Sequence, residues 1–129
     1  MNSTKTDAEE TFGSYLRFLL NKYGQTAREL ARLLHFTPPY ISDVLAGNNK
    51  PLKFADLKTI ETWLSLSSNE AEHLYDLAGQ ERNEVAPDLM ALIKNTQQAR
   101  NLLRIIKRNK ISGKQIQQIC ESLSSKGWK

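Results

Sequence analysis

The stretch that decides the fold is TARELARLLHFTPPYISDVLAG, residues 26–47. Its apolar residues recur at three- and four-residue spacing, which is the spacing of one helical face. His35 and Phe36 interrupt this pattern. Thr37 then offers a good N-cap, with Pro38 at the first helical position, where proline suits a helix. The segment therefore predicts two short helices separated by a very short break, the second ending at Gly47.

Helical spacing also extends toward the N-terminus. Phe12, Tyr15, Leu16 and Leu19 share one helical face. A helix is therefore expected from about Asp7 to Lys22, with a capping box of Thr6 and Glu9 at its start. No stretch of the chain alternates with period two for long, so the sequence predicts an all-α fold.

Two further helices are expected after the central segment. One runs from about Lys53 to Leu64. Ser67 and Glu70 are spaced as a capping box that opens the next one, and Gly79 is expected to end it. With the three helices before them, these make a first unit of five helices.

The end of this first unit is marked by composition. The acidic stretch from Gln80 to Pro87 has Val85 as its only large apolar residue. It is therefore predicted to be the junction between two domains, residues 1–80 and residues 81–129. The second domain is expected to contain three short helices, at about Asp88 to Asn95, Gln98 to Asn109 and Ser112 to Ser124. It would serve dimerisation, partner binding or completion of the core.

Charge is distributed unevenly along the chain, although the formal net charge is only +4. Residues 67–90 hold one basic residue against six acidic ones, whereas residues 91–129 hold nine basic residues against one acidic residue. A basic block of this kind is either a solvated helix face or a surface for phosphates or an acidic partner. On the second predicted tail helix, Arg100, Arg104, Lys107 and Arg108 form a basic stripe.

Composition also indicates the compartment. The single Cys120 cannot form an internal disulfide and is expected in the core, and no apolar run approaches the roughly 20 residues of a transmembrane helix. The polar, acidic N-terminus lacks the features of a signal peptide. We expect a cytoplasmic protein with no membrane partner.

The central segment resembles the DNA-binding unit of the xenobiotic-response-element family, which is related to the phage repressors and Cro. The Glu-Leu-Ala triplet at residues 29–31 and the Tyr-Ile-Ser triplet at residues 40–42 carry this resemblance, together with Gly47 and the polar loop after it. The resemblance covers about residues 12–66. It implies a five-helix, lambda repressor-like DNA-binding domain, followed here by a short C-terminal helical segment.

Two positions depart from the family pattern. His35 stands where the family usually has glycine, so a left-handed backbone is expected at this turn, which histidine tolerates. Leu45-Ala46-Gly47 stands where Glu-Asn-Gly is common, which removes a phosphate contact of the asparagine. Asn48, Asn49 and Lys50 are expected to replace it.

The resemblance also implies the DNA-binding residues. Base edges are expected to face Pro38, Pro39, Ser42 and Asp43, with Tyr40 near the backbone or a thymine methyl group. Helix initiation is an alternative role for the two prolines, and a cap or an ion pair is one for Asp43. Phosphate contacts, which position the helix without reading sequence, are expected from Arg28, Arg32, Thr37, Asn48, Asn49, Lys50 and Lys53.

Other chemistry has little support in the sequence. His35 and His73 lack partners at metal-ligand spacing, and no nucleophile elbow, glycine-rich phosphate loop or paired carboxylate motif is present. We therefore expect no enzymatic activity, no cofactor and no metal.

The leading hypothesis is a sequence-specific regulator of transcription, most simply a repressor, that binds a double-stranded DNA operator as a homodimer. An antitoxin is the alternative, in which the C-terminal helices bind a toxin or another protein. A pure protein-interaction module is a third possibility. In each case Ala31, Ile41, Val44 and Leu57 are predicted to be core residues.

Overall fold

A computed structural model describes residues 10–129 of the chain, and these residues form helices and no strand. The predicted all-α fold is confirmed. The helices are α1 (Phe12–Lys22), α2 (Ala27–Leu34), α3 (Pro38–Ala46), α4 (Phe54–Leu64), α5 (Ser68–Arg82), α6 (Pro87–Asn95), α7 (Gln97–Arg108) and α8 (Gly113–Ser125). Among the described residues, none of these helices is long and apolar enough to span a bilayer.

The chain divides into two compact units. The first unit extends to Met90 and the second comprises Ala91–Lys129, so that the division falls inside α6. The domain boundary expected between residues 80 and 81 lies inside α5.

The first unit is held together by one apolar core. Helix α3 packs against α1 and α2, and α1 also packs against α5. Each of the helices α1 to α5 contributes to the largest fully buried side chains, which are Phe12, Leu16, Leu19, Leu30, Ile41, Val44, Leu57, Ile60 and Leu74. Ala31, Ile41, Val44 and Leu57 are all buried, as the sequence predicted.

Helix α1 begins later than the sequence indicates. Thr11 is its N-cap, with an extended backbone, and the Thr11 hydroxyl accepts a hydrogen bond from the Ser14 N–H. The expected continuous helix from Asp7 is therefore wrong, because this cap interrupts it. The capping box expected at Thr6 and Glu9 lies outside the described residues.

Helix α5 ends later than expected. It passes through Gly79 to Arg82, and Asn83 is the left-handed C-cap, with φ of 57°. A Cβ atom at Gly79 would lie 2.8 Å from the Ala86 backbone nitrogen, so this glycine allows residues 84–86 to fold back onto the helix. The expected junction at residues 80–87 is therefore wrong in part, because Ala86 belongs to the core of the first unit.

The second unit contains no buried residue. Its three helical segments expose large apolar side chains on α7 and α8, among them Leu102, Leu103, Ile119 and Leu123, each more than two-fifths exposed. Cys120 is exposed as well, so the prediction that it lies in a core is wrong. The three short helical segments of this unit therefore enclose no core of their own.

Candidate nucleic-acid interface

Helix α2 is defined by hydrogen bonds at both of its ends. At its start, the Thr26 hydroxyl accepts a hydrogen bond from the Glu29 N–H, and the Glu29 carboxylate accepts one from the Thr26 N–H. At its end, His35 adopts the left-handed conformation, with φ of 63° and ψ of 36°. This confirms the backbone expected where the family has glycine. The Phe36 N–H then donates to the Ala31 carbonyl oxygen at 2.9 Å, which closes the turn.

Only three residues separate the end of α2 from the start of α3. Thr37 is the N-cap of α3, as predicted, and its hydroxyl accepts a hydrogen bond from the Tyr40 N–H at 3.3 Å. The two prolines that follow have no N–H that would need a partner in this first turn. At the other end, Gly47 is left-handed, with φ of 84°, and the Asn48 N–H donates to the Asp43 carbonyl oxygen.

The close approach of α1 to α3 depends on Gly13. A Cβ atom at this position would lie 2.2 Å from the Leu45 carbonyl oxygen and 2.9 Å from that of Val44. Backbone atoms cannot move aside as a flexible side chain can, so only glycine permits this contact. Gly13 therefore sets how α3 is held on the first unit, and helical periodicity alone does not reveal this role.

The two faces of α3 differ sharply. Ile41, Val44 and Leu45 are buried in the core. The predicted base-reading residues Pro38, Pro39, Ser42 and Asp43 are all exposed on the rest of the helix surface. The helix is thus anchored by its apolar face and presents the predicted reading face to solvent.

Tyr40 lies between these two environments. Its side chain is half-buried, and its ring packs against that of Phe36 with 4.7 Å between the centroids. This contact restrains the ring next to the turn.

The residues predicted to contact phosphates lie on α2, at the N-cap of α3 and in the loop that follows α3. All of them are exposed: Arg28, Arg32, Thr37, Asn48, Asn49, Lys50 and Lys53. Among the described residues the ion pairs are Lys22–Glu70 and His73–Glu10, so the basic side chains of this set are not neutralised by a carboxylate. Asp43 takes part in no ion pair there either.

An open cleft brings part of the predicted set together. Thr37, Tyr40, Lys50 and Lys53 line it, along with His35, Phe36, Pro51, Leu52, Asp56 and Arg82. Arg28, Arg32 and the exposed residues of α3 after Tyr40 are not among its lining residues. The cleft borders the first turn of α3.

Arg82 was not among the residues predicted from the sequence. Its guanidinium donates a hydrogen bond to the Pro51 carbonyl oxygen, which ties the loop before α4 to the end of α5. This loop carries Lys50 and Lys53. Composition marks Arg82 as the single basic residue against six acidic ones in residues 67–90, but nothing local in the sequence indicates its contact with Pro51.

A polar cluster connects the end of α1 to the start of α5. The Glu70 carboxylate accepts hydrogen bonds from Lys22 Nζ at 2.5 Å, from the Tyr23 hydroxyl at 2.6 Å and from the Ser67 N–H at 3.0 Å. Because all three partners favour the charged form, led by Lys22, the pKa of Glu70 is lowered from 4.5 to about 2. This cluster ties α1, which packs against α3, to the start of α5.

No family model, curated protein or solved structure matches the chain. A functional assignment therefore rests on the residues and geometry of the chain itself.

Proposed function

We propose that this protein is a sequence-specific, double-stranded DNA-binding regulator of transcription, acting as a repressor, with a first unit of the lambda repressor-like kind. Helix α3 would enter the major groove with its N-terminal half. The observation that carries the proposal is the division of α3 into a buried face and an exposed face that bears all four predicted base-reading residues. The major groove accommodates a single helix presented in this way.

Affinity comes mainly from phosphates in this proposal. Arg28, Arg32, Lys50 and Lys53 are exposed and unpaired with any carboxylate among the described residues, so each can contact a phosphate without first breaking an ion pair. Backbone contacts of this type position a helix on the duplex but carry no sequence information.

Sequence preference is assigned to a small set of groups. Asp43 can accept a hydrogen bond from cytosine N4, and the Ser42 hydroxyl can pair with several bases. The rings of Pro38 and Pro39 offer apolar contact that suits a thymine methyl group. None of these is a bidentate reader such as arginine on guanine, so we expect modest discrimination by each recognition helix.

Alanine variants test this assignment on the full-length protein. Arg28→Ala, Arg32→Ala and Lys50→Ala are expected to weaken binding to every duplex. For each lost phosphate contact, the slope of log affinity against log salt concentration should become shallower by about 0.9. Asp43→Ala is expected to relax preference at one base pair and leave the salt slope unchanged. Lys58→Ala, also exposed but outside the proposed interface, is the control. Binding that does not depend on salt would contradict the proposal.

A further inference from the structure

We propose that the basic face of α7, formed by Arg104, Lys107 and Arg108, is a second binding surface for the phosphate backbone of duplex DNA. This inference rests on the proposed function, since it assumes that DNA is the ligand of the chain. It assigns the second unit a sequence-independent role in the same binding event.

Charged and apolar residues are segregated around α7. At 3.6 residues per turn, its apolar residues Ala99, Leu102, Leu103, Ile105 and Ile106 fall within an arc of roughly 160°. Its four basic residues fall within a separate arc of roughly 100°. The helix contains no acidic residue. The basic arc is therefore a continuous cationic strip rather than a set of isolated charges.

Contacts within the second unit engage one of the four basic residues of α7 and leave the other three available to a ligand. Arg100 donates to the carbonyl oxygens of Ile93 and Lys94, at 2.8 and 2.9 Å, and so completes the end of α6. The basic stripe expected from the sequence is thus shorter by one residue. Arg104, Lys107 and Arg108 are exposed and take part in neither of the ion pairs found among the described residues.

The acidic residue of the second unit does not neutralise this strip. Glu121 lies on α8, where its carboxylate accepts a hydrogen bond from the Gln117 side-chain amide at 3.3 Å. Nine basic residues against this single acidic one leave the second unit strongly cationic. A polyanion is the ligand that this charge complements.

The spacing of the three side chains suits a nucleic-acid strand. Residues three and four apart on a helix have Cβ atoms about 5–6 Å apart, so the three cations sit within little more than one turn. Duplex DNA presents a phosphate every 3.4 Å of axial rise along each strand. Three neighbouring cations can therefore neutralise two to three phosphates and release the counterions bound there.

The test compares two triple variants of the full-length protein on a labelled duplex of random sequence. One variant carries Arg104→Gln, Lys107→Gln and Arg108→Gln, and the control carries Lys114→Gln, Lys126→Gln and Lys129→Gln. Both lose three charges from the exposed surface of the second unit, and glutamine preserves helix propensity. Fluorescence anisotropy gives the affinity at several salt concentrations, and circular dichroism verifies that helicity is unchanged.

In the α7 variant, the slope of log affinity against log salt concentration should become shallower by about 2 to 3, at about 0.9 for each phosphate contact. In the control variant, the same slope should change by less than about 1. An unchanged slope for the α7 variant would overturn the proposal. Equal losses for the two variants would also overturn it, because net charge alone would then explain the effect. If the wild-type chain prefers no DNA sequence but the two variants still differ, the proposed function fails while the α7 surface stands.

Discussion

At the scale of single residues, Gly13 controls the distance between α1 and α3. A methyl group there would collide with the backbone carbonyls of Leu45 and Val44, at 2.2 and 2.9 Å from the new Cβ atom. We expect Gly13→Ala to lower the free energy of unfolding by about 1–3 kcal/mol, the usual cost of overpacking, although alanine favours helix more than glycine does. Urea unfolding measures the change.

Gly113→Ala is the matched control for this substitution. Apart from its chain neighbours and the adjacent backbone of its own helix, no atom lies within 4 Å of the position that its Cβ would take, so the same added methyl group meets open space. This variant should be as stable as the wild type or slightly more stable. If Gly13→Ala behaved in the same way, the close packing of α1 on α3 would be refuted.

The stability of the first unit depends on pH through Glu70. Its pKa is about 2 in the folded protein, below the ordinary 4.5, because Lys22, Tyr23 and Ser67 all donate to the carboxylate. A lowered pKa stabilises the fold above the ordinary value, and this contribution is lost as the pH falls from about 4.5 toward 2. Lys22 is half-exposed, so solvent screening keeps the contribution of this ion pair to stability small.

Glu70→Gln isolates the charge in this cluster. The glutamine side chain still offers an oxygen to the Ser67 N–H and the Tyr23 hydroxyl but carries no charge. Urea unfolding of both proteins between pH 7 and pH 2 should show a wild-type advantage that is constant above about pH 5 and disappears near pH 2. A difference that stays the same across this range would exclude the proposed ionic contribution.

At the scale of elements, α3 has two faces that must respond differently to the same chemical change. Ile41→Asp places a charge in the core, where an unpaired carboxylate costs several kcal/mol, and should unfold the first unit. Ser42→Asp adds the same side chain to the exposed face. It should leave the melting temperature nearly unchanged but weaken DNA binding by charge repulsion.

Thermal unfolding and DNA affinity of these two neighbouring variants, measured side by side, check the phase of α3. The interpretation fails if Ile41→Asp keeps the wild-type melting temperature. It also fails if Ser42→Asp unfolds the protein while Ile41→Asp does not.

Helix positions were predictable wherever local chemistry decides them. Thr37 and Ser67 cap the helices that the sequence assigns to them, and Gly47 ends α3 as expected. The errors arise where tertiary contacts decide. The Phe12 N–H donates to the Glu81 carboxylate at 2.6 Å, a contact 69 residues away in sequence that helps to start α1 after Thr11. Gly79 was predicted to be a cap, but it is needed for close packing against Ala86.

At the scale of the whole molecule, the second unit exposes large apolar side chains and buries no residue. Leu102 is 58 % exposed and Ile119 is 48 % exposed. We expect the second unit to pair with that of another copy, giving the homodimer proposed from the sequence. Since each copy carries nine basic residues against one acidic one in this unit, salt should strengthen the pairing by screening repulsion.

Analytical ultracentrifugation at low and high salt tests this pairing. Leu102→Glu should shift the protein toward monomer at every salt concentration, whereas Asn101→Glu, on the neighbouring exposed position, should have a much smaller effect. A wild-type chain that remains monomeric at high salt would contradict the expected homodimer.

The candidate site was predictable as a set of residue types but not as an arrangement. The resemblance to a known DNA-binding unit over about residues 12–66 implied all twelve positions, of which eleven are exposed and Tyr40 is half-buried. The contacts that hold the surrounding loops in place involve residues that are distant in the sequence. Arg82 reaches the Pro51 carbonyl across 31 residues of sequence, and no local pattern encodes such a contact.

Selection of bound duplexes from a random pool by the full-length protein tests the central claim most directly. We predict enrichment of one site with two symmetric half-sites whose centres lie about one helical turn apart, roughly 10 base pairs. The Asp43→Ala variant should lose the preference at one position of each half-site. A pool that stays random, although the protein retains DNA through every round, would contradict sequence-specific recognition by α3.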